Sequence, residues 1–395
     1  MGAVDFAIIT IREDEFEAVL DRVGAETSWS MLHGPRTGRI YNQCQVPGSS
    51  PGPVPGSVPR TVVAVRCLEQ GNTEAQNVAR DLLEDIDPQW IFVVGIAGGV
   101  ATDEFTLGDV VISNRIHDFS VEAVQRDGER EYAVSGGPIE PAVGHVVANL
   151  PAMKGALGAW HDLGLARPGP PQEFYGDDAF QRKVRESIAY HFDGEGAGRP
   201  PRFKTGAIMS SDRLVKNAEL VQVWLKVARQ ARAIEMESAG VYRATRGRNK
   251  PFLAIRGISD IVGARRNDDW TRYACHSAAA FTRALITAWP LAPAERNPGP
   301  TASAIGGRHL EAELARLLAD MFAPRDLYQF LRLQVSRALV DSLPSPDHAS
   351  RTGYAAEAAD QLISQGLFTR AFLDAWAGKR ENRSAEIQGL ARWLG

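Results

Sequence analysis

Only three cysteines, Cys44, Cys67 and Cys275, occur among the 395 residues, far apart and with no CxxC spacing. That scarcity excludes a disulfide framework or a thiolate zinc site, and leaves small buried side chains in a reducing compartment as the reading. Excess positive charge is also missing: 44 Lys and Arg stand against 48 Asp and Glu, a formal net charge of −4. No global positive field exists to hold DNA or RNA, so nucleic acid is not an expected partner. Long apolar runs are absent as well, and the longer ones, such as 90–94 and 252–255, fall far short of the roughly 20 residues a bilayer demands. No basic residue precedes the first apolar stretch, and the acids Glu13–Glu15 follow it directly, unlike a signal peptide. The expectation is a soluble cytoplasmic protein without membrane contact or internal repeats.

What is present divides into two parts. From Val4 to about Pro290, short apolar runs alternate with amphipathic stretches, the pattern of an α/β domain whose strands are buried on both faces. Strands are expected at 4–10, 61–66, 90–95, 109–113, 204–209, 233–236 and 252–257. Helices are expected at 13–22, closed by Gly24, and at 73–84, with Asn72 as N-cap. Residues 47–59 and 166–171 are rich in Pro and Gly and read as surface loops. The stretch 291–307 has Pro293, Pro298, Gly299, Pro300, Gly306 and Gly307 and no apolar period, so it reads as a linker. Beyond it, in 308–395, Leu310, Leu314, Leu317, Leu318 and Met321 recur at helical spacing and open a small all-α domain.

Four motifs carry chemistry. Asp260, in Arg256-Gly257-Ile258-Ser259-Asp260, follows a buried strand, where open α/β sheets bind ligands; a helix cap or turn residue is the alternative. Glu235-Met236-Glu237 sets two carboxylates at alternate positions at a strand end, turned the same way; a helix-initiating acidic pair is the other reading. Gly95-Ile96-Ala97-Gly98-Gly99 lets backbone amides approach a ligand but fails the dinucleotide fingerprint. Glu13-Asp14-Glu15, where a strand hands over to a helix, is explained equally well by solvated first-turn acids.

Taken in order over residues 4 to about 290, with Gly108-Asp109-Val110-Val111 between them, these motifs resemble the purine nucleoside phosphorylase and methylthioadenosine/S-adenosylhomocysteine nucleosidase superfamily. The resemblance implies a mixed sheet flanked by helices and cleavage of a purine N-glycosidic bond. It makes Glu15 the activator of water, Glu237 the ribose-hydroxyl ligand and Asp260 the proton donor at purine N7. Met236 packs beneath the sugar, Ala97 and Gly98 meet base or ribose, Ser211 and Asp212 begin the loop flanking the base, and Leu214 and Val215 cover it. A part-buried Asp among apolar walls suits a proton donor near neutrality.

Two departures refine this expectation. Where phosphorylases of the family hold inorganic phosphate with an arginine and a hydroxyl, this sequence has Val93 and Ile96. Neither side chain binds an oxyanion, so hydrolysis is expected over phosphorolysis. Arg12, Arg213, Lys216 and Arg265, with Arg266, lie near motif ends and are candidates for gripping the 5′-phosphates of a nucleotide; solvated surface residues are the alternative. No metal or cofactor is expected in the chemistry, with Mg²⁺ only as a nucleotide counterion. The tail, through Leu314–Phe322 and Arg325-Asp326-Leu327, resembles the effector-associated, death-like adaptor domains of bacterial conflict systems. It implies a protein partner with a similar helical domain, while a packing or oligomerisation domain stays open. The expectation is a homo-oligomeric purine nucleosidase or nucleotide nucleosidase, an antiviral effector depleting a nucleotide such as ATP. A phosphorylase and a non-catalytic nucleotide-sensing scaffold are the competing functions.

Overall fold

The structure is a computed structural model and describes residues 4–48, 59–120, 122–124, 130–132, 134–193, 198–212, 218–246, 248, 250–290, 302–335, 339–340, 343, 346, 350–364 and 366–393. The chain separates into two compact units, Met1–Arg296 and Asn297–Gly395. A helix, Ala302–Met321, begins inside the stretch read as linker, 291–307, of which 291–301 lies outside the described residues.

The first unit is an α/β layer structure. Its strands are β1 (Phe6–Thr10), β2 (Ser30–His33), β3 (Ile40–Val46), β4 (Arg60–Arg66), β5 (Trp90–Gly99), β6 (Val110–Asp118), β7 (Glu122–Val124), β8 (Arg130–Tyr132), β9 (Ser135–Pro138), β10 (Phe203–Ser210), β11 (Ala231–Glu235) and β12 (Phe252–Ile261). The main sheet runs β11-β10-β6-β12-β5-β1-β4-β3-β2, with β9 against β6. It is mixed. β1 lies parallel to both β4 and β5, β12 is parallel to β5, and β6 meets β12 antiparallel.

β5, β6 and β12 run well past the expected 90–95, 109–113 and 252–257, and their extra length closes the sheet on itself. The far end of β5 turns from its parallel partners to pair antiparallel with β11, Gly99 facing Ala233 and Gly98 facing Ile234. Strands β5, β12, β6, β10 and β11 therefore form a ring. Apolar side chains fill both faces, because strands such as FAIIT and WIFVV are buried at every position. The helices packed here are α1 (Glu13–Val23), α2 (Asn72–Asp85), α3 (Pro141–Asn149), α4 (Lys154–Leu157), α5 (Asp178–Phe192), α6 (Ala218–Val227), α7 (Ser238–Arg246) and α8 (Asp268–Thr287). All three cysteines are buried free thiols, and burial pushes each thiol above its ordinary range. Among the described residues, no helix is long and apolar enough to cross a membrane.

The second unit has its own core. Leu314, Leu318, Leu331, Tyr354, Leu362, Leu373 and Trp376 pack together from helices Ala302–Met321, Pro324–Gln334, Arg351–Ser364 and Arg370–Lys379. The carbonyls that end the first of these helices are satisfied by two arginines: Arg351 donates to Phe322 and Asp320, and Arg380 to Met321. Cations suit that negative helix end. Leu333, on the second of these helices, is exposed.

Asn72 is not the N-cap of α2. Gly71 holds that position with φ 113°, and Asn72 is the first residue inside the helix, fully buried. Its Oδ1 accepts from the Gly240 N–H of α7 at 2.7 Å and from the Ser210 hydroxyl of β10 at 3.1 Å. One amide thus ties together three elements whose ends face the sheet opening. Asn72→Ala strands those donors away from water, and the expected loss of stability is about 1–3 kcal/mol, read as a lower denaturant midpoint. Asn72→Asp keeps the acceptor oxygen and should lose less; equal losses would mean that the acceptor does not matter.

Candidate active site

Four carboxylates line one cavity of about 230 Å³, those of Glu15, Glu235, Glu237 and Asp260, together with Arg12, Ile96, Ala97, Gly98, Met236 and Arg266. They arrive from three different parts of the chain. Of the three first-turn acids of α1, Glu13 and Asp14 face outward, whereas Glu15 is buried. Glu15 Oε2 accepts from the N–H groups of Ile11 and Arg12 at 3.0 and 2.9 Å, while Oε1 accepts from Ile96 N–H at 2.9 Å. The first two bonds cap the helix; the third anchors the carboxylate to the glycine turn. Gly95 must be glycine there, since a Cβ would lie 2.3 Å from Glu15 Oε1 and 2.7 Å from Arg256 Nη1.

Beneath this acid sits Arg256, wholly buried in β12. It forms an ion pair with Glu235 and approaches Glu237 Oε2 at 3.7 Å. Burial works against the guanidinium charge, but Glu235, Glu237 and Glu15 outweigh it and hold the group protonated. Its Nε and Nη1 have no hydrogen-bond partner among the described residues. Glu235 is saturated: besides Arg256 it accepts from the backbone of Glu237 and Ser238 and from the Ser238 hydroxyl. Glu237 is freer, with longer contacts of 3.3 Å from Gly71 N–H and from Met236 N–H. Its burial first, and the nearby Glu235 carboxylate second, push its carboxyl well above the usual range. Two glutamates at alternate positions therefore differ in kind: Glu235 neutralises the arginine, and Glu237 keeps only long contacts at the cavity wall.

Asp260 stands on the other side of the turn. In the β5–β12 register it lies opposite Gly98, where a Cβ would fall 3.1 Å from its Oδ2, and Ser259 Oγ donates to its Oδ1 at 2.8 Å. Gly98 is paired with Ile234 of β11 as well. The pairing of β5 with both neighbours at Gly98 therefore sets the spacing between the Glu235–Glu237 motif and Asp260.

Several expected residues fall elsewhere. Ser211 is buried, its N–H donating to the Glu235 carbonyl, and Asp212 Oδ1 accepts from Asn72 N–H at 2.6 Å. Both brace the base of the loop and neither lines the cavity. Arg213, Leu214, Val215 and Lys216 lie outside the described residues. Arg265 points away from the cavity and forms a surface ion pair with Glu173 at 2.7 Å; its neighbour Arg266 takes the place at the rim. Arg12 does line the cavity but is held by Asp14 through a two-pronged pair at 2.7 and 2.9 Å. Three residues of the site were not singled out by the sequence motifs: Arg256, Glu235 as its counterion, and Gln70. Arg256 had a signal, because an arginine inside an otherwise apolar two-sided strand demands buried carboxylate partners.

Since the native protein holds the Glu237 proton more tightly than the unfolded chain, the native state binds more protons between the ordinary glutamate value and the raised one. Stability then falls as pH rises through that window, and is fully present below it. Thermal melts at a series of pH values should show a flatter slope for Glu237→Gln than for the wild type. An unchanged slope would assign the titration to another group.

With this geometry in hand, comparison with known proteins gives consistent relatives. Residues 54–287 match the profile of the phosphorylase superfamily. The chain is 26% identical over 215 residues to the death domain-containing ATP nucleosidase of Amphimedon queenslandica, covering 54% of this chain and 36% of that protein. It is 27% identical over 229 residues to ATP nucleosidase Cap17 of Escherichia coli, covering 58% and 41%. A third relative is the 5′-methylthioadenosine/S-adenosylhomocysteine nucleosidase of Mycobacterium bovis, 26% identical over 245 residues, covering 59% of this chain and 82% of that one. The match spans less than half the length of the first two relatives. The profile takes in the glycine turn, Glu235–Glu237 and Asp260, and since it spans well over half of the 395 residues, the chain belongs to the phosphorylase superfamily.

Proposed function

We propose that this chain hydrolyses the N-glycosidic bond of a purine nucleotide or nucleoside, with ATP the leading substrate. The observation that carries the reading is the convergence of Glu15, Glu237 and Asp260 on one cavity around the glycine turn. Relatives named as ATP nucleosidases and as a methylthioadenosine/S-adenosylhomocysteine nucleosidase support it.

The chemistry follows from what each group has left to give. A carboxylate offers about four lone-pair sites, and three on Glu15 are taken by backbone N–H groups, which fix its orientation. A remaining site accepts a proton from a water entering the cavity. As that water's oxygen bonds to C1′, the C1′–N9 bond breaks, its electron pair passes to the purine, and Asp260 delivers a proton to N7. Glu237, carrying its proton more readily than an ordinary glutamate, both donates to and accepts from the ribose hydroxyls, with Met236 beneath the sugar. Arg256 balances Glu235 and so spares Glu237 a full unpaired charge. The products are free base and the sugar or sugar phosphate.

Hydrolysis is favoured over phosphorolysis by the residues before and in the glycine turn: Val93 is buried in β5 away from the cavity, and Ile96, which lines it, is apolar and gives its N–H to Glu15. We assign no metal a part in bond cleavage, because carboxyls meet each proton demand, and Mg²⁺ enters only with a nucleotide. The reaction is assigned to the cytoplasm and to a homo-oligomer. The second unit serves as an adaptor for a protein partner with a similar helical domain, a reading supported by its separate core.

Purified enzyme should release free base from a purine nucleotide at the same rate with or without phosphate, with chromatography finding no sugar 1-phosphate. Asp260→Asn should lower turnover by roughly 10²–10⁴-fold while the fold persists by circular dichroism; near-normal turnover would remove Asp260 from the mechanism. For the tail, deletion of residues 308–395 should leave base release and abolish partner capture. A truncated chain that is folded yet inactive on every substrate would instead make the tail part of the active assembly.

A further inference from the structure

The cavity does not end at the catalytic acids. Ile11, Arg12 and Gln70 line it and also line a second cavity of about 540 Å³. The two cavities adjoin along these residues, and the acid-rich one lies beyond Arg12. If Asp260 takes the base and Glu237 the hydroxyls, the 5′ end of the sugar is left to the remaining polar wall of the catalytic cavity, where Arg12 and Arg266 stand.

The arginines along this path are not equivalent. Arg12 is committed to Asp14, and Arg66, further out, is within 3.6 Å of Glu13. The second cavity also presents Glu17 and Glu69, so its acids outnumber its arginines. A bare polyphosphate would be repelled along that wall. Arg266 differs: among the described residues lining the catalytic cavity it has no carboxylate partner within ion-pair distance, although it lies close enough to Asp14 to help lower that carboxyl. Its Nε donates to Thr271 Oγ1 at 3.1 Å, and Thr271 is fixed in the first turn of α8 by its own bond to the Asn267 carbonyl. The side chain is thus steered at the rim while its two terminal nitrogens stay uncommitted, the arrangement suited to two-pronged recognition of a phosphoryl group.

We infer that Arg266 is the specificity-determining residue for a 5′-phosphorylated substrate, binding the phosphoryl group next to the ribose. The inference rests on the N-glycosidase reading above and deepens it to the nucleoside 5′-phosphates as a class. Any further phosphoryl groups run past the acid-rich wall towards solvent, where they need their own cations.

The test compares adenosine and guanosine with their 5′-mono- and 5′-triphosphates, for wild type and Arg266→Gln in the full chain. The wild type should prefer the nucleotide in kcat/KM by about tenfold or more, and Arg266→Gln should reduce that ratio by about tenfold, chiefly through KM. A merely structural arginine would lower nucleoside and nucleotide alike and leave the ratio unmoved, which overturns the inference. Calorimetric binding of adenosine and guanosine and their 5′-monophosphates to Asp260→Asn, with and without Arg266→Gln, gives a readout independent of turnover. Base release without any nucleotide preference sinks the Arg266 contact and leaves the N-glycosidase reading standing. Nucleotide-selective binding that depends on Arg266, in a protein that releases no base, does the reverse.

Discussion

Strands β5, β11 and β12 meet at one point, the end of β5, where Gly98 is paired to a strand on each side. The residue is paired to Ile234 on one side and to Asp260 on the other. Closing the five-strand ring at this seam brings together two motifs separated in sequence by a helix and a strand. It also turns the end of β5 so that Ile96 N–H meets Glu15. The catalytic spacing is therefore a property of strand pairing, and a packed sheet is far stiffer than a loop.

Charge is the second constraint, and it follows from the first. A closed ring leaves Arg256 without access to water, so its charge has to be met by carboxylates from within. Glu235 meets it, through a short ion pair reinforced by donors from Ser238. Burial first, and the Glu235 carboxylate second, then leave Glu237 holding its proton against the pull of Arg256. The same three acids and one arginine in water would be alike; it is burial that makes one acid the counterion and leaves the other two at the cavity.

The two units illustrate different uses of hydrophobic burial. In the first, largely apolar strands fill both faces, and a buried polar side chain such as Ser113 is met by a backbone N–H within the sheet. In the second, amphipathic helices enclose a core of leucines and aromatics, and arginines satisfy a helix end.

Apolar two-sided runs were legible as strands, and the periodic leucines of 310–321 as a helix, because burial patterns are local. The motifs holding Glu15, Glu237 and Asp260 were legible too, since each is a short string at a strand end. Short edge strands such as Ser30–His33 were not, being exposed and without a distinct period. The roles of individual polar residues were beyond reach for a related reason. Asn72 looks like a helix cap, yet its amide bonds α7 and β10. Arg265 and Arg266 are adjacent and chemically identical, yet one pairs with Glu173 on the surface and the other lines the cavity. The sequence by itself determined the α/β architecture, the helical tail and the set of acids. Tertiary structure alone decided which acid is spent on Arg256 and which arginine stays uncommitted, because those depend on partners brought together across the ring from distant parts of the chain.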